Sequence, residues 1–429
     1  MIGVITLVLF FALLLVGVPI VFSIGFASAL GVLLIDGRNG WAVMAMQIFE
    51  TLQHFPLVAI PMFLLMANLM SVGGITNALV AFATSLVGHV RGSLALGNVT
   101  ASTLFAGISG SCLADTTAVG SMMIPAMIKD GYPAAFAGAI TAAANIVGPI
   151  IPPSILMILY GFAAEVSVIQ LFLAGIVPGV LISIVFVAYA YWVSRKNGYG
   201  SMAHHFVLTR ALGAFVHALP AIVIPALIVA GVLGGVFTIT ESAGAAALYA
   251  LVYAVGRGAL LGAIPWREIW IAFRRTAIDT GVIMFLLGAS GLLGWVLSRS
   301  QAPQAMVAMM SGFGKYETLL LINVALLFLG LFLEPAPALL LCTPLFLPMV
   351  KALGIDPVHF GIIMVVNLQL GVLSPPVAAS AVVTSRIAGI SFEQQTNALW
   401  PFMGLGVVTL LIVTYIPALS LWVPGLVAR

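Results

Sequence analysis

Long apolar stretches follow one another along almost the whole 429-residue chain, separated by short polar turns. Stretches of about 20 apolar residues cross a bilayer as α-helices, and they lack the alternation of β-barrel strands. The length allows roughly ten to twelve such crossings. We expect spans within residues 2–35 (one long kinked helix), 55–72, 171–192, 215–233, 244–255, 319–333 and 399–423. Residues 41–54 and 266–276 are amphipathic, which is typical of helices lying along the membrane surface.

Two apolar regions, residues 107–154 and 330–376, are interrupted by glycine, proline and hydroxyl residues. Several glycines and prolines of the first region recur in the second region 223 positions later. Examples are the pairs Gly107 and Gly330, Gly148 and Gly371, and Pro153 and Pro376. In hydrocarbon, broken backbone is tolerated only where protein or a water-filled cavity shelters it. Interrupted segments at corresponding positions of two halves indicate the midplane site of a secondary transporter. We therefore predict an all-α polytopic membrane protein with two structural repeats, each containing a re-entrant helical hairpin and a discontinuous helix.

Composition supports a membrane protein, because 62% of the residues are hydrophobic and 6% are charged. Soluble domains carry about 25% charged residues. The first apolar run has no basic residue before Arg38 and no cleavage pattern, so we expect a retained helix and not a signal peptide. The two cysteines, Cys112 and Cys342, lie one in each broken segment, where each is expected to pack as a small apolar residue.

The basic residues lie mostly in short connections, which is the pattern that orientation in a membrane produces and no indication of nucleic-acid binding. The most basic loop contains Arg195, Lys196, His204, His205 and Arg210 and is expected in the cytoplasm. Residues 266–276 hold three arginines, whereas residues 41–54 hold no basic residue. Under the positive-inside rule these two segments lie on opposite faces of the membrane. The two repeats are therefore predicted to be inverted relative to each other.

The chemistry of the broken segments favours a cation and an anion at one site. We place the hairpin tips near residues 109–111 and 334–336, the first helix break at residues 145–153, and the second broken helix at residues 367–376. Prolines leave upstream carbonyl oxygens without helical partners, and such oxygens can bind Na⁺, while helix N-termini attract anions. The predicted Na⁺ ligands, for two or more sites, are Ser109, Ser111, Gly148, Pro153, Gly330, Glu334, Gly371 and Ser374. The predicted substrate ligands are Ser111, Asp115, Asn145, Ser154, Glu334 and Asn367.

Each of these residues has a structural alternative. Glycine and serine in membrane helices commonly serve close helix packing, and Asp115 could cap the hairpin. An ionisable group inside the membrane favours a functional role for Asp115 and Glu334. The roles of Glu165, Glu241 and Asp279 stay open between the site, the membrane interface and fixed ion pairs. His359 is expected at a solvated turn.

The chain resembles the large membrane subunit of TRAP (tripartite ATP-independent periplasmic) transporters along its whole length. The resemblance rests on residues 88–92 (GHVRG), 105–125 (FAGISGSCLADTTAVGSMMIP), 148–154 (GPIIPPS), 354–361 and 374–376. It implies a Na⁺-driven, elevator-type importer of small organic anions in the bacterial inner membrane. It also implies two partners, a four-helix small membrane subunit on a separate chain and a periplasmic substrate-binding protein. Compared with the family, Glu334 stands where Asp is commoner and Ser374 where Thr is commoner.

The resemblance also suggests a division of the single transporter domain. Residues 1–92 and 171–314 are assigned to a scaffold, residues 93–170 and 315–395 to a moving transport domain, and residues 396–429 to a final span. The substrate is left open among C4-dicarboxylates, sugar acids, sialic acid and sulfonates. An alternative is a Na⁺- or H⁺-coupled carrier of the same plan that needs no partner. An intramembrane enzyme or a channel is disfavoured, since the chain has no HExxH or GxSxG motif and no continuous polar stripe.

Overall fold

The computed structural model describes residues 2–88, 90–200, 207–309 and 312–427. His89 of the GHVRG motif and His204 and His205 of the basic loop lie outside these ranges. The described residues form helices joined by turns, with no strand. Eight of the helical segments within them are long and apolar enough to cross a membrane, and shorter apolar helices accompany them.

The described residues of the first half of the chain form ten α-helices. They are α1 (Ile2–Leu15), α2 (Ile20–Asp36), α3 (Gly40–Leu52), α4 (Ala59–Val72), α5 (Ile75–Val87), α6 (Ser93–Ser109), α7 (Cys112–Lys129), α8 (Ala134–Ala144), α9 (Ile155–Ala164) and α10 (Val168–Asn197). Local signals set several of these ends. Ser154 and Ser167 accept backbone N–H bonds at the starts of α9 and α10, and Gly110 ends α6 in the left-handed conformation.

The residues described in the second half form ten more. They are α11 (Leu208–Leu233), α12 (Ile239–Leu260), α13 (Trp266–Arg299), α14 (Ala302–Met309), α15 (Lys315–Gly330), α16 (Pro335–Ala352), α17 (Pro357–Gly371), α18 (Ala379–Ala388), α19 (Phe392–Tyr415) and α20 (Ala418–Val427). Helices α12 and α19 begin with capping boxes, and Asp356 caps α17. Both α16 and α17 begin with proline, which suits the first helical position.

The predicted repeat is confirmed by the helix bounds. Helices α7 and α16 begin at Cys112 and Pro335 and end at Lys129 and Ala352. Both ends of the two helices are thus 223 positions apart, the same spacing as the repeated glycines and prolines. Helices α8 and α17 begin at Ala134 and Pro357, again 223 apart. Each repeat therefore contains a hairpin, α6–α7 or α15–α16, followed by a broken helix, α8–α9 or α17–α18.

The repeats are inverted, because the turns that follow α7 and α16 contact opposite ends of the span α10 and its neighbour α9. The turn after α7 meets the end of α10, where the Tyr132 and Tyr199 rings lie 6.2 Å apart. The turn after α16 instead meets the end of α9, where the Tyr160 hydroxyl donates to the Pro357 carbonyl at 2.7 Å. That end of α9 also lies beside α3, with the Phe162 ring 4.9 Å from His54. The two hairpins thus enter from opposite faces, as the charge pattern predicts.

Three predicted elements differ from the structure. Residues 2–35 form a hairpin of two helices, α1 and α2, because Gly17 adopts φ +91 and the chain reverses before Pro19. Thr6 consequently lies against Gly31. The amphipathic segment at 266–276 and the span after it form one helix, α13. The predicted last span, 399–423, is two helices, because α19 ends at Tyr415 before Pro417.

The helices after the breaks pack closely on them. Glycines of α10 allow this approach, since a Cβ on Gly179 would lie 2.5 Å from Ile151, and Gly175 contacts the Ile150 carbonyl. In the second repeat, Gly406 of α19 lies against Leu370 of α17. Helices α10 and α19 therefore contact the broken helices directly, while the domain boundaries at residues 170 and 395 stay predictions.

Candidate functional site

Both predicted hairpin tips coincide with turns between consecutive helices. In the first, α6 ends at Ser109 and α7 begins at Cys112, so the turn consists of Gly110 and Ser111. Gly110 has φ +61, a conformation that favours glycine. In the second, residues 331–334 connect α15 to α16, and Glu334 occupies the N-cap position of α16.

The first tip packs directly against the first helix break. Ser109 Oγ donates to Asp115 Oδ1 and accepts a bond from the Ser111 N–H at 3.1 Å. A Cβ on Gly148 would contact the other oxygen of the same carboxylate, Oδ2. A Cβ on Gly110 would lie 2.6 Å from the Pro153 carbonyl oxygen. Of the four residues predicted as the first Na⁺ site, Ser109, Ser111 and Gly148 therefore contact Asp115, and the Pro153 carbonyl joins them through Gly110.

Asp115 is fully buried, and its Oδ2 has no hydrogen-bond partner among the described residues. A buried ionised carboxylate is costly unless a cation or donors compensate it. The hydroxyl and carbonyl oxygens around it are ligands that hard cations accept. This cluster therefore fits the Na⁺ ion that the sequence predicts.

Ser154 and Asn145, predicted as substrate ligands, are fully buried at the first break. Ser154 Oγ donates to the Pro149 carbonyl at 2.5 Å and accepts from the Met157 N–H at 3.2 Å, so it caps α9. Asn145 donates to the Thr141 carbonyl at 2.7 Å. Asp115, Asn145 and Ser154 do not line the cavity described below, and their substrate roles stay predictions.

The second tip and the second break meet through two glycines. A Cβ on Gly371 would lie 2.6 Å from the Gly330 Cα, so only glycine permits this approach of the two backbones. Ser374 Oγ donates to the Leu370 carbonyl at 3.0 Å. Asn367 lies deeper, where its amide donates to Asn323 Oδ1 at 2.8 Å and to the Asn323 carbonyl at 3.0 Å.

A cavity of about 390 Å³ lies between the two tips, the two breaks and helices α4 and α13. Its polar side chains include Ser111, Glu334, Gln369 and Asp279, and Gly330 and Gly371 also reach it. Leu64 of α4 and Val282 and Ile283 of α13 form the opposite wall. A cavity of this volume suits a small organic molecule.

Helix ends dominate the electrostatics of this cavity. The first turns of α7, α9, α16 and α18 all reach it, through Leu113, Leu156, Ala336 and Ala379. Helix N-termini present unpaired N–H groups and partial positive charge, which attract anions. Among the described residues, no lysine, arginine or histidine lines it. The backbone therefore supplies the positive potential.

Helices α6, α8, α15 and α17 instead end at the tips and breaks. Their C-termini carry partial negative charge and unpaired carbonyl groups, which favour cations. The two repeats thus combine an anion-attracting cavity with adjacent cation-attracting oxygen clusters.

Two polar residues of the cavity were not predicted as ligands. Gln369 is almost fully buried, and its Oε1 has no hydrogen-bond partner among the described residues. Its place two residues before the predicted ligand Gly371 was the available signal. Asp279 was left open between several roles, and the structure places it on the wall formed by α13.

The other residues left open are also located. Glu241 accepts bonds from the Thr238 N–H and hydroxyl in a capping box, so its role at this position is structural. Glu165 ends α9 with φ 55 and lines a second cavity of about 600 Å³ together with His54. His359 is buried and its Nε2 lies 3.2 Å from the Thr414 carbonyl, so the expected solvated turn is wrong.

Comparisons with known proteins agree with this architecture. A family model described as the DctM component of tripartite ATP-independent periplasmic transporters matches residues 7–419. The C4-dicarboxylate TRAP transporter large permease protein DctM of Pseudomonas aeruginosa is 38% identical over 407 residues, which is 94% of each chain. The sialic acid TRAP transporter large permease protein SiaM of Vibrio cholerae is 35% identical, with 96% of each chain covered.

A longer relative and a solved structure extend the comparison. The isethionate TRAP transporter permease protein DctMQ of Oleidesulfovibrio alaskensis is 36% identical over 97% of this chain and 65% of its own length. The crystal structure of the YdaH transporter of Alcanivorax borkumensis shares the fold, with a TM-score of 0.64, 14% identity, and 89% and 90% of the two chains covered. With these matches, the chain belongs to the DctM-component family of tripartite ATP-independent periplasmic transporters and is a multi-pass transporter protein of the inner membrane.

Proposed function

We propose that this protein is the transport-competent membrane subunit of a Na⁺-driven secondary transporter that imports a small organic anion. The observation that carries the proposal is the cavity of about 390 Å³ at which four helix N-termini converge. Those N-termini attract an anion without any basic side chain. The acidic Glu334 at the same cavity would repel a carboxylate unless a cation neutralises it. Binding of the anion is therefore favoured when Na⁺ is present.

Na⁺ coupling is supported by the oxygen clusters. The buried Asp115 Oδ2 lies against Gly148, Ser109 donates to the other oxygen of Asp115, and the Pro153 carbonyl lies against Gly110 of the same tip. We propose these residues for the first ion, and Gly330, Glu334, Gly371 and Ser374 for the second. A cation at each cluster would supply the positive charge that the carboxylates lack in the described structure.

The chemistry of the substrate is proposed as a carboxylate or a sulfonate. Relatives are named as transporters of C4-dicarboxylates, sialic acid and isethionate, all of which are organic anions. Family membership further suggests a periplasmic binding protein that delivers the anion, and a small four-helix membrane subunit. Sugar acids fit the same cavity chemistry.

Alternating access is proposed to follow an elevator movement. The hairpins and broken helices form the walls that hold the ligand, whereas α4 and α13 form the opposite wall. On α13 the cavity reaches Asp279, Val282 and Ile283. These residues lie about one to two helical turns after the basic residues Arg274 and Arg275. If those arginines face the cytoplasm, this cavity lies in the cytoplasmic half of the membrane. This is the arrangement of an inward-facing carrier.

Uptake into proteoliposomes tests the function. The permease, its small subunit and a set of binding proteins loaded with different organic anions are reconstituted with and without an inward Na⁺ gradient. We expect uptake with one anion class that requires both the binding protein and Na⁺. Uptake that continues at the same rate in Na⁺-free medium would contradict the proposal.

A further inference from the structure

A stripe of polar side chains lies along the contact between α6 and α8, outside the substrate cavity. Asn98 and Ser102 are one turn apart on α6, and Asn145, the C-cap residue of α8, is one turn after Thr141. All four side chains are fully buried. The Asn98 amide donates to Thr141 Oγ1 at 2.6 Å, and this bond sets the register of the two helices.

Both helices run from this bond toward the first hairpin tip. Helix α6 ends at Ser109, which hydrogen-bonds Asp115. Helix α8 ends just before Gly148, which faces the same carboxylate. Because the two helices advance in the same direction, Ser102 and Asn145 are each one turn closer to the tip than the Asn98–Thr141 bond.

The hydrogen bonds of the stripe leave its oxygen atoms free. Thr141 donates its hydroxyl proton to the Ala137 carbonyl at 2.7 Å, so its Oγ1 accepts from Asn98 and cannot donate to it. The Asn145 amide nitrogen likewise bonds the Thr141 carbonyl, which cannot donate. Asn98 Oδ1, Asn145 Oδ1 and Ser102 Oγ therefore have no hydrogen-bond partner within the described part of the chain.

Free buried acceptors require a donor or a cation. The surrounding charge favours a cation, because α6 and α8 both direct their C-termini toward the tip. The free Oδ2 of Asp115 lies beyond the stripe at Gly148. No lysine or arginine occurs among the fully buried residues that the structure describes, so an anion would have no counter-charge.

We propose that Asn98 Oδ1, Ser102 Oγ and Asn145 Oδ1 hold an additional Na⁺ ion between α6 and α8. This site lies behind the first predicted Na⁺ cluster, and the proposal rests on the proposed Na⁺ coupling. Asn145 then binds a cation and does not contact the substrate. The ion would be carried within the hairpin and broken helix of the first repeat.

The ratio of Na⁺ to substrate tests this site. It is obtained from the membrane potential at which net substrate flux stops in proteoliposomes holding the complete complex. The variants are Ser102→Ala, which removes one oxygen, and Asn98→Leu, which replaces an amide by an apolar group of similar size. Ser93→Ala is the matched control, because Ser93 is also buried and unpartnered in the described chain but lies at the start of α6.

We expect the two stripe variants to transport about one Na⁺ fewer per substrate, with the control unchanged. Their detergent-solubilised complexes should also gain less thermal stability from added Na⁺, since a bound ion stabilises the folded state. Unchanged ratios and unchanged Na⁺ stabilisation in Ser102→Ala would overturn the site and leave water as the occupant. If Asn98→Leu does not assemble, Ser102→Ala alone decides. A wild-type complex whose uptake ignores Na⁺ would instead overturn the proposed function.

Discussion

Glu334 begins α16, and its side chain is exposed to the cavity without making a cap hydrogen bond. Because no bond in the described structure holds its carboxylate, we expect the charge to act on a ligand. Glu334→Gln keeps the size and removes the charge, so uptake should fall about tenfold or more, which corresponds to roughly 1.4 kcal/mol of lost binding. Glu334→Asp keeps the charge and should retain substantial uptake.

Uptake per assembled complex is the measurement, since it separates function from folding. Both variants should insert and assemble with the small subunit in normal amounts. A purely structural Glu334 predicts that both variants transport in proportion to their folded amounts. A Gln variant with wild-type uptake would remove Glu334 from the site.

Gly148 faces Asp115 Oδ2 so closely that an added methyl group would contact this oxygen. Gly148→Ala should therefore raise the Na⁺ concentration required for half-maximal uptake several-fold, and Ser109→Ala and Ser374→Ala should raise it by removing one oxygen each. Gly256→Ala in α12 is the control, because a Cβ there meets no atom within 4 Å. Wild-type Na⁺ dependence in all three site variants would contradict both assigned ion clusters.

Single residues were predictable to different degrees. The spacing of glycines and prolines located Ser109, Gly148, Pro153, Gly330 and Gly371, because backbone breaks are visible as residue types. The direction in which a helical side chain points depends on the packing of neighbouring helices. Asn367 contacts Asn323 of α15, whereas Gln369 lines the cavity. The sequence around these two residues does not distinguish the two directions.

At the scale of elements, hydropathy located the helices but did not decide whether a break bends or reverses the chain. Gly17 and Pro19 allow either outcome, and the close packing of α1 on α2 at Thr6 and Gly31 fixes the reversal. Likewise the amphipathic start of α13 looks interfacial in sequence. Its continuity with the following span makes one helix of 34 residues, about 51 Å long at 1.5 Å per residue.

The α1–α2 hairpin presents two exposed apolar stripes. Val4, Val8 and Leu15 lie on one face of α1, and Phe22 and Phe26 on one face of α2. None of these residues lines the cavity between the hairpin tips, and the stripes suit a partner helix or lipid. We expect photo-crosslinkers placed in them, and at Trp41 of α3, to capture the small subunit.

The control positions are Ser111 and Ala336, which line the cavity between the two hairpin tips. Crosslinkers there should capture the small subunit much less. Crosslinking chiefly from the tips would show that the partner contacts the parts proposed to move, and would contradict a scaffold role for α1–α3.

At the scale of the whole molecule, charge gives the orientation. Helices α11 and α12 follow one another as two spans, so the end of α10 and the start of α13 lie on one face. That face carries Arg195, Lys196, Arg257, Arg267, Arg274 and Arg275. Glu50, Glu165 and Glu241 lie toward the opposite face, at the ends of α3 and α9 and the start of α12. The positive-inside rule therefore places the basic face in the cytoplasm.

Two cavities lie at different heights along α13. The cavity between the hairpin tips reaches Val282 and Ile283, whereas the second cavity reaches Leu287, Ser290 and Gly294, farther from the N-terminal end of α13, which carries three arginines. The distance from Val282 to Gly291 corresponds to roughly 14 Å of helix at 1.5 Å per residue. Ser290 and Gly294 are small, and a Cβ on Gly294 would meet no atom within 4 Å, which leaves room for a hairpin tip at that height. We therefore expect the second tip to occupy this level when the carrier faces outward.

Cysteine pairs measure this displacement in a transport-active background in which alanine replaces Cys112 and Cys342. Ala336→Cys with Val282→Cys should crosslink in the inward-facing state and block uptake. Ala336→Cys with Ser290→Cys should crosslink only when the tip has moved outward, because a disulfide requires Cα atoms within about 7 Å. Reduction should restore uptake in both pairs. Normal uptake by the crosslinked 336–282 pair, with no crosslink at 336–290 under any loading condition, would show that the tip does not travel along α13.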